Sequence, residues 1–172
     1  MNKRRFLLTL APALLAGCGF RLRGVPTFAF RSLYIQASAG SSLARELRRT
    51  LQGAGGSLIV VTDEAQKAQA EVVLDLLSER NERVVVSLNS AGQVRELQLR
   101  LRVRFRLRDA QGRGWIEETE LLQQRDVSYN ESVALSKEGE EALLQRNMQT
   151  DMVQQLLRRL AAAHPPAAAA KQ

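Results

Sequence analysis

The sequence predicts an α+β fold, a two-layer sandwich with two helices packed on one face of a mixed, largely antiparallel sheet of about four to five strands. In two segments apolar residues recur every third or fourth position, as they do on the buried side of a helix. In the segments between them apolar and polar residues alternate, as they do in half-buried strands. The predicted order is strand, helix, several strands and helix, and the short turns between the later strands favour an antiparallel meander.

The predicted domain, residues 32–163, opens with a strand and a helix. Residues 32–37 are rich in strand formers, so they predict the first strand. Ser41 or Ser42 can cap the helix that follows, in which leucines recur every fourth residue. The glycine-rich stretch at 53–56 is expected to end that helix.

The middle of the domain is predicted to consist of strands. The apolar run 57–61 predicts a short strand buried on both faces, and residues 62–69 form a polar connection. Turns that contain Gly92 and Gly112 separate the longer alternating segments. Those segments are 70–77 with 84–88, as one long strand or two, then 93–108 and 115–129.

A loop at 130–136 is predicted to lead into a long second helix at 137–163. Its apolar residues fall mostly at steps of three and four, which gives the helix one buried side. They are Leu144, Met148, Met152, Val153, Leu156, Leu157 and Leu160. The last segment, 164–172, contains two prolines and four alanines and is predicted to be disordered.

The beginning of the chain has the layout of a bacterial export signal. Basic residues at 3–5 precede an apolar run at 6–15, which is too short for a transmembrane helix because such a helix needs ~20 residues. Small residues then lead to a single cysteine, Cys18. One interpretation is an ordinary signal followed by a buried cysteine.

The other interpretation rests on residues 15–18, Leu-Ala-Gly-Cys, which resemble the lipobox of bacterial lipoproteins. In that class the cysteine is alkylated with a diacylglyceryl group, the signal is cut before it, and the new amino group is acylated. The resemblance implies a signal peptide at 1–17, lipid attachment at Cys18 and a lipidated tether at 18–31. Gly19, where an aspartate would favour the inner membrane, implies export to the outer membrane of a diderm bacterium.

Composition excludes several classes of protein and argues against an enzyme. The chain has one cysteine and one histidine, so it forms neither an internal disulfide framework nor a zinc site of the usual Cys/His kind. His164 lies in the Ala/Pro tail, which argues against a serine or cysteine hydrolase. We therefore expect no enzyme activity, cofactor or metal, with catalysis through Glu117, Glu118 or Glu120 as the alternative. Export also makes nucleic acid an unsuitable partner for the positive charge, which comes from 25 Lys+Arg against 18 Asp+Glu.

One segment, 97–108, combines a strict alternation with a run of cations. Its odd positions are apolar, while the even positions after Gln98 are Arg100, Arg102, Arg104, Arg106 and Arg108. Neighbouring arginines on one strand face are about 6.8 Å apart, and the Debye length is ~8 Å, so their repulsion is only partly screened. Anionic groups are therefore expected nearby. They are either Glu117, Glu118 and Glu120 of the next strand, or phosphates or carboxylates of an external ligand, for which the arginine fork is suited.

Lys137 is a further candidate for binding an anion. It lies near the start of the second helix, where positive charge is unfavourable by about 0.3–1 kcal/mol against the helix dipole. Either the acidic neighbours at 138–141 neutralise it, or it faces an anionic ligand beside the preceding loop.

Five pieces of the chain, taken in order, resemble the LptE family of lipopolysaccharide-assembly lipoproteins. They are residues 18–24 after the lipobox, Leu43-Ala44-Arg45 and Leu51 of the first helix, Gly92-Gln93 leading into Glu96-Leu97-Gln98-Leu99, residues 134–138, and Asn147-Met148 through Leu160. The resemblance covers nearly all of the chain that follows the signal.

The resemblance implies a non-enzymatic outer-membrane lipoprotein without a cofactor. Its implied partners are the LptD β-barrel, which it plugs and helps to assemble, lipopolysaccharide, whose delivery to the outer leaflet it assists, and the membrane that holds its acyl chains. Lys137 matches a basic residue proposed to lie near the ligand. Some members carry a basic residue before the glycine equivalent to Gly92, where this chain has none, and Arg95 is a possible substitute. The expected lipopolysaccharide-binding residues are thus Lys137, Arg95, Arg100, Arg102, Arg104 and Arg106.

A second hypothesis stays open at this point. The chain could be a free-standing, membrane-anchored periplasmic module that binds an anionic ligand or serves as the auxiliary subunit of a transporter. Fractionation to the inner membrane would favour that hypothesis.

Overall fold

A computed structural model of the chain describes residues 27–129 and 134–166, except for the side chains of 134–138. The elements are β1 (Ser32–Gln36), α1 (Ser42–Gly53), β2 (Ile59–Val61), a short 3₁₀ helix (Glu64–Gln69), β3 (Val72–Leu88), β4 (Val94–Asp109), β5 (Gly114–Ser128) and α2 (Ala134–Ala161). None of the helices within the described ranges is long and apolar enough to cross a lipid bilayer.

One mixed sheet of five strands, in the order β2-β1-β3-β4-β5, organises the fold. β1 pairs in parallel with both β2 and β3, whereas β3, β4 and β5 form an antiparallel meander. The predicted fold class, with two helices over a mixed sheet, is therefore confirmed. β3 is one strand rather than two, because a register shift between Leu76 and Ser78 lets it continue through its polar middle while still paired with β4.

The first helix forms where its capping and leucine pattern predict it. The Ser41 hydroxyl oxygen accepts a hydrogen bond from the backbone N–H of Ala44 at 2.9 Å and so caps α1. Leu43, Leu47 and Leu51 lie on one side of the helix and are buried against the sheet. Gly55, with φ of +68°, then reverses the chain in a conformation that other residues rarely adopt.

The core lies between the two helices and one face of the sheet. Odd-numbered residues of β4 supply its centre, with Phe105 and Leu107 fully buried. The predicted apolar stripe of α2 packs against them, and Met152 and Leu156 are 0% exposed. Both helices thus cover the same face of the sheet, and no helix within the described ranges covers the other face.

A polar junction joins the two helices to β3. The Glu79 carboxylate accepts hydrogen bonds from the hydroxyls of Ser41 and Ser42, at 2.7 and 3.2 Å. Glu46 of α1 accepts a hydrogen bond from the Gln149 side chain of α2 at 2.5 Å. These contacts hold the beginning of α1 beside the middle of α2, so both helices run in parallel across the sheet.

Two local expectations, on the first short strand after α1 and on the loop before α2, were wrong, and the expectation of a polar connection was incomplete. The strand expected to be buried on both faces is the three-residue edge strand β2, and Ile59 is 64% exposed because β2 has a neighbour on one side only. The expected polar connection contains the 3₁₀ helix, which Asp63 caps through the N–H of Ala65. The expected loop before α2 is helical from Ala134 onward.

The signal, Cys18 and most of the tether lie outside the described residues, as does the tail beyond Pro166. The predicted division of the chain into signal, tether, domain and tail therefore stays a prediction.

Candidate functional site

The uncovered face of the sheet is the candidate site, and we call it the arginine face. Residues at odd positions of β4 from Leu97 to Leu107 are buried under the helices, so even positions point to the opposite side. That side carries Arg100, Arg102, Arg104, Arg106 and Arg108. The alternation along β4 thus separates the core from the cations across the thickness of one strand.

Asp75 of β3 is the carboxylate around which one end of the arginine face is built. It lies opposite Arg106 in the register of β3 and β4. Its Oδ2 accepts hydrogen bonds from Nε of Arg106 and Nε of Arg108, each at 2.8 Å. The Asp75 side chain is 6% exposed, while those of Arg106 and Arg108 are 49% and 24% exposed. A single buried anion therefore holds two partly exposed cations.

The electrostatics of this cluster favour the charged forms of its members. Burial works to raise the pKa of the Asp75 carboxyl, but the hydrogen bonds and charges of Arg108 and Arg106 outweigh it and hold that pKa below its ordinary value. The hydrogen bond and charge of Asp75 in turn raise the pKa of Arg108 against the effect of desolvation. Asp75, Arg106 and Arg108 thus form a structural cluster in which the carboxylate and the two guanidinium groups stabilise one another's charged forms.

The middle of the arginine face is neutralised by the neighbouring strands. Arg102 forms an ion pair with Glu120 of β5 and lies 3.7 Å from the carboxylate of Glu82 of β3. Arg104 forms an ion pair with Glu118 at 3.0 Å. Four of the five arginines therefore have carboxylate partners within the sheet.

Two of the three glutamates that the sequence offered as partners take that role. Glu118 and Glu120 form ion pairs with arginines, whereas the Glu117 carboxylate lies against Gly114 and has no ion pair in the described part of the chain. Sequence reasoning missed Asp75 and Glu82. The signal for Asp75 was present, since it is the one charged residue within the apolar stretch 72–77.

Arg100 and Arg95 differ from the other arginines of β4. The Arg100 Nε donates to the Gln98 side chain at 2.6 Å, and within residues 27–129 and 134–166 it has no carboxylate partner. Arg95 is exposed, occupies an odd position, and has no ion pair among the same residues. Arg95 lies at a register shift, between Val94 and Glu96, where it has no opposite residue on β3.

Lys137 lies in the first turn of α2, but its side chain is outside what the structure describes. Its suggested contact with an anionic ligand therefore stays a prediction. The helix packs on the side of the sheet opposite the arginine face, so Lys137 and Arg100 belong to different layers.

The β3–β4 turn, which is the far end of the meander, is hydrogen-bonded and uncharged. The Asn89 side-chain oxygen accepts from the backbone N–H groups of Ala91 and Gln93, both at 2.9 Å. Gly92, with φ of +77°, allows the tight reversal. The turn therefore closes through its own hydrogen bonds and contains no cation.

No three His, Cys, Asp or Glu side chains in the described ranges lie close enough together to hold a metal ion. The contacts that the arginine face makes among the described residues are ion pairs and hydrogen bonds. The charges of Arg102, Arg104, Arg106 and Arg108 are compensated within the sheet. Arg100, and Arg80 of β3 opposite Arg102, form no ion pair with the described side chains.

Comparison with known proteins matches residues 25–160 to the LptE family, whose description is lipopolysaccharide-assembly. The LPS-assembly lipoprotein LptE of Yersinia pestis strain Pestoides F is 30% identical over 161 residues, which cover 92% of this chain and 75% of that protein. The same protein of Yersinia pseudotuberculosis serotype O:1b matches to the same extent.

Solved structures of bacterial lipoproteins have a similar fold. Lipoprotein B from Nitrosomonas europaea, determined by NMR in solution, has a TM-score of 0.71 and 32% identity and covers 84% of this chain and 91% of its own. The rare lipoprotein B from Shewanella oneidensis has a TM-score of 0.63 and 25% identity, with coverage of 76% of this chain and 94% of its own.

The first prediction concerns the buried carboxylate. Asp75→Asn removes the charge that holds Arg106 and Arg108, so we expect the free energy of unfolding at pH 7 to fall by about 1–3 kcal/mol. Glu118→Gln is the matched control, since Glu118 is 51% exposed and its loss should change stability by less than about 0.5 kcal/mol. Urea unfolding of both variants measures the difference.

The pH dependence gives a second readout of the same substitution. Because the folded pKa of Asp75 is depressed, its contribution is present above the unfolded pKa of ~3.9 and is lost as pH falls through the lower folded pKa. The gap in stability between the native chain and Asp75→Asn should therefore be constant near neutral pH and close in acid. A gap that persists unchanged in strong acid would contradict the ion-pair account.

Proposed function

The chain belongs to the LptE family of lipopolysaccharide-assembly proteins, and on this premise we propose that it is a non-enzymatic outer-membrane lipoprotein that plugs a β-barrel partner of the LptD type. In this proposal it also helps that barrel to assemble and assists delivery of lipopolysaccharide to the outer leaflet. The observation that carries the proposal is the compensated arginine face, which suits the polar interior of a large barrel.

Charge compensation is what makes the uncovered face fit such an interior. A surface cation loses hydration when a barrel wall approaches, and the loss is large unless a partner already compensates the charge. On the arginine face, Asp75, Glu118 and Glu120 already form ion pairs with arginines of β4. The face is therefore hydrophilic enough for a water-filled lumen and close to neutral at short range.

The length of the meander supports the same proposal. β4 has sixteen residues, which at ~3.4 Å per residue span about 50 Å. A bilayer is about 40–45 Å thick with its headgroups. β1 starts beside the Asp109 end of β4, because Leu33 pairs with Val72 and Val72 pairs with Asp109, whereas the β3–β4 turn is at the opposite end. A chain anchored near one leaflet and aligned with the membrane normal would place that turn at the level of the other leaflet.

Lipid attachment at Cys18 supplies the anchor in this proposal. Each buried methylene contributes ~0.8 kcal/mol, and two lipid signals already hold a protein stably on a membrane. The described domain begins at Thr27, nine residues after Cys18, so the tether leaves from the end of the sheet that lies opposite the β3–β4 turn.

The proposed lipopolysaccharide contacts follow from which cations have partners. Arg102, Arg104 and Arg106 are held by carboxylates, so an incoming phosphate would have to compete with those pairs. Arg100 and Arg95 face no such competition from the described residues. We therefore assign direct phosphate contact to Arg95 and Arg100 and a structural role to the paired arginines, while a contact of Lys137 is proposed on the resemblance to the LptE family alone.

The same pairing weakens the two alternatives. A free-standing module that binds anions would need open cations along the arginine face, and most of them are occupied. A catalytic pair drawn from Glu117, Glu118 and Glu120 would need free carboxylates, yet Glu118 and Glu120 are ion-paired with arginines.

The partner is tested by affinity purification of the tagged full-length chain from outer membranes solubilised in a mild detergent. We expect a large β-barrel protein in stoichiometric amount, together with the acylated chain, identified by intact mass analysis. Recovery of the acylated chain alone would contradict the plug function and favour the free-standing module.

Ligand contact is tested by Arg100→Glu in the same full-length chain. Since Arg100 forms no ion pair with the described side chains, its reversal should weaken lipopolysaccharide binding, and because Glu82 lies opposite it on β3 the new negative charge should lower stability by no more than about 1 kcal/mol. Arg106→Glu is the comparison variant, which should lower the thermal midpoint because it places a second negative charge beside Asp75. Binding that is unaffected by Arg100→Glu would remove Arg100 from the proposed ligand site.

A further inference from the structure

The sheet has long edges, and they are protected very differently. β5 has no neighbouring strand on its outer side in the described part of the chain, but it carries charges along its length. They are Glu117, Glu118, Glu120, Arg125 and Asp126. Charged side chains on an edge strand discourage pairing with another chain. The β5 edge is therefore blunted in the way that natural sheets usually are.

The second half of β3 is also an edge of the sheet, and part of it carries no charge. β1 pairs with β3 only over Val72–Asp75, so from Leu76 onward no described strand lies on the outer side of β3. Its last five residues, 84–88, read Val-Val-Val-Ser-Leu and contain no charge. We call this segment the 84–88 edge. Val85, Val86 and Leu88 are 49%, 46% and 57% exposed.

The backbone of the 84–88 edge does not remove this exposure. A register shift between Val85 and Ser87 leaves Val86 without an opposite residue on β4. A bulge is one device that hinders pairing at a sheet edge, and natural edges also use lysine and proline for this purpose. Here the bulged residue is a valine, which has high strand propensity. The 84–88 edge is thus uncharged and apolar, and its outer side has no described neighbour, so leaving it exposed to water is unfavourable.

We propose that the 84–88 edge is a docking edge to which the barrel partner adds an extended, uncharged segment as a further strand. The proposal rests on the function proposed above, since it names the part of this chain to which the barrel partner binds. Strand addition supplies main-chain hydrogen bonds to the free edge and covers the exposed valines with apolar side chains.

A lipid acyl chain fits the 84–88 edge less well than a strand. It would cover Val85 and Leu88, but it has no donors or acceptors for the free N–H and C=O groups of an edge strand. Removing those groups from water without partners is unfavourable, whereas a strand satisfies both the backbone and the side chains.

A second copy of the chain also fits less well. Antiparallel pairing about a two-fold axis at Val86 aligns only residues 84–88, a contact about 17 Å long, and stable complexes bury about 800 Å² on each partner. Extending the pairing over residues 78–88 places the axis at Arg83, so the same cation of each copy would face the other. A barrel that surrounds the chain adds this contact to a larger interface.

The proposal is tested with the photo-crosslinking residue p-benzoylphenylalanine at position 86 of the tagged full-length chain in cells. We expect crosslinks to the barrel protein, mapped by mass spectrometry to one extended, uncharged segment. Crosslinks to lipid, crosslinks to a second copy, or no crosslink in a preparation that still contains the barrel protein would each overturn the docking edge and leave the plug function standing. If the tag recovers no barrel protein, both proposals fail.

Two charge substitutions give an independent test. Val86→Lys introduces a residue that protects edges, so it should cause a loss of barrel protein from the purified complex while the thermal midpoint is unchanged. Leu143→Lys is the matched control, because Leu143 is a 52% exposed apolar residue of α2 that belongs neither to a strand edge nor to the arginine face, and it should retain the barrel protein. Equal recovery with both variants would overturn the proposal, and the crosslinking result decides the matter if Val86→Lys does not fold.

Discussion

The alternation of apolar and cationic residues along β4 is the constraint on which the structure depends. Successive side chains of a strand point to opposite faces. Because residues 97–107 have leucine, valine or phenylalanine at each odd position, and residues 100–108 have arginine at each even position, β4 has one dry face and one charged face. The dry face requires a covering layer, which α1 and α2 provide with their own apolar sides. A slip of one residue would exchange the two faces completely, so the register of the meander is strongly specified.

The charged face creates a second requirement, which the neighbouring strands meet. Closely spaced arginines repel one another, and the repulsion is relieved by carboxylates from both sides, Asp75 and Glu82 on β3 and Glu118 and Glu120 on β5. The result is a hydrophilic surface with little uncompensated charge. Such a surface is compatible with the interior of a barrel, and it leaves Arg80 and Arg100 as the cations of that face that form no ion pair with the described side chains.

Local patterns were enough to predict the helices, the meander and two partners of the arginines. The cap at Ser41, the leucine repeat of α1 and the stripe of α2 each depend on residues close together in sequence. Long-range pairing was harder, because the match of Asp75 to Arg106 depends on a register that shifts at Leu76. The edge position of β2 was missed because a three-residue apolar run looks the same at the centre and at the edge of a sheet.

The most direct test of the central claim is the structure, by electron microscopy, of the complex purified from outer membranes through the tagged full-length chain. The account predicts that the chain lies inside a barrel with β4 aligned along the membrane normal, its β3–β4 turn near the outer leaflet and its arginine face toward the lumen. A chain bound outside the barrel wall, or lying with β4 parallel to the membrane plane, would contradict it.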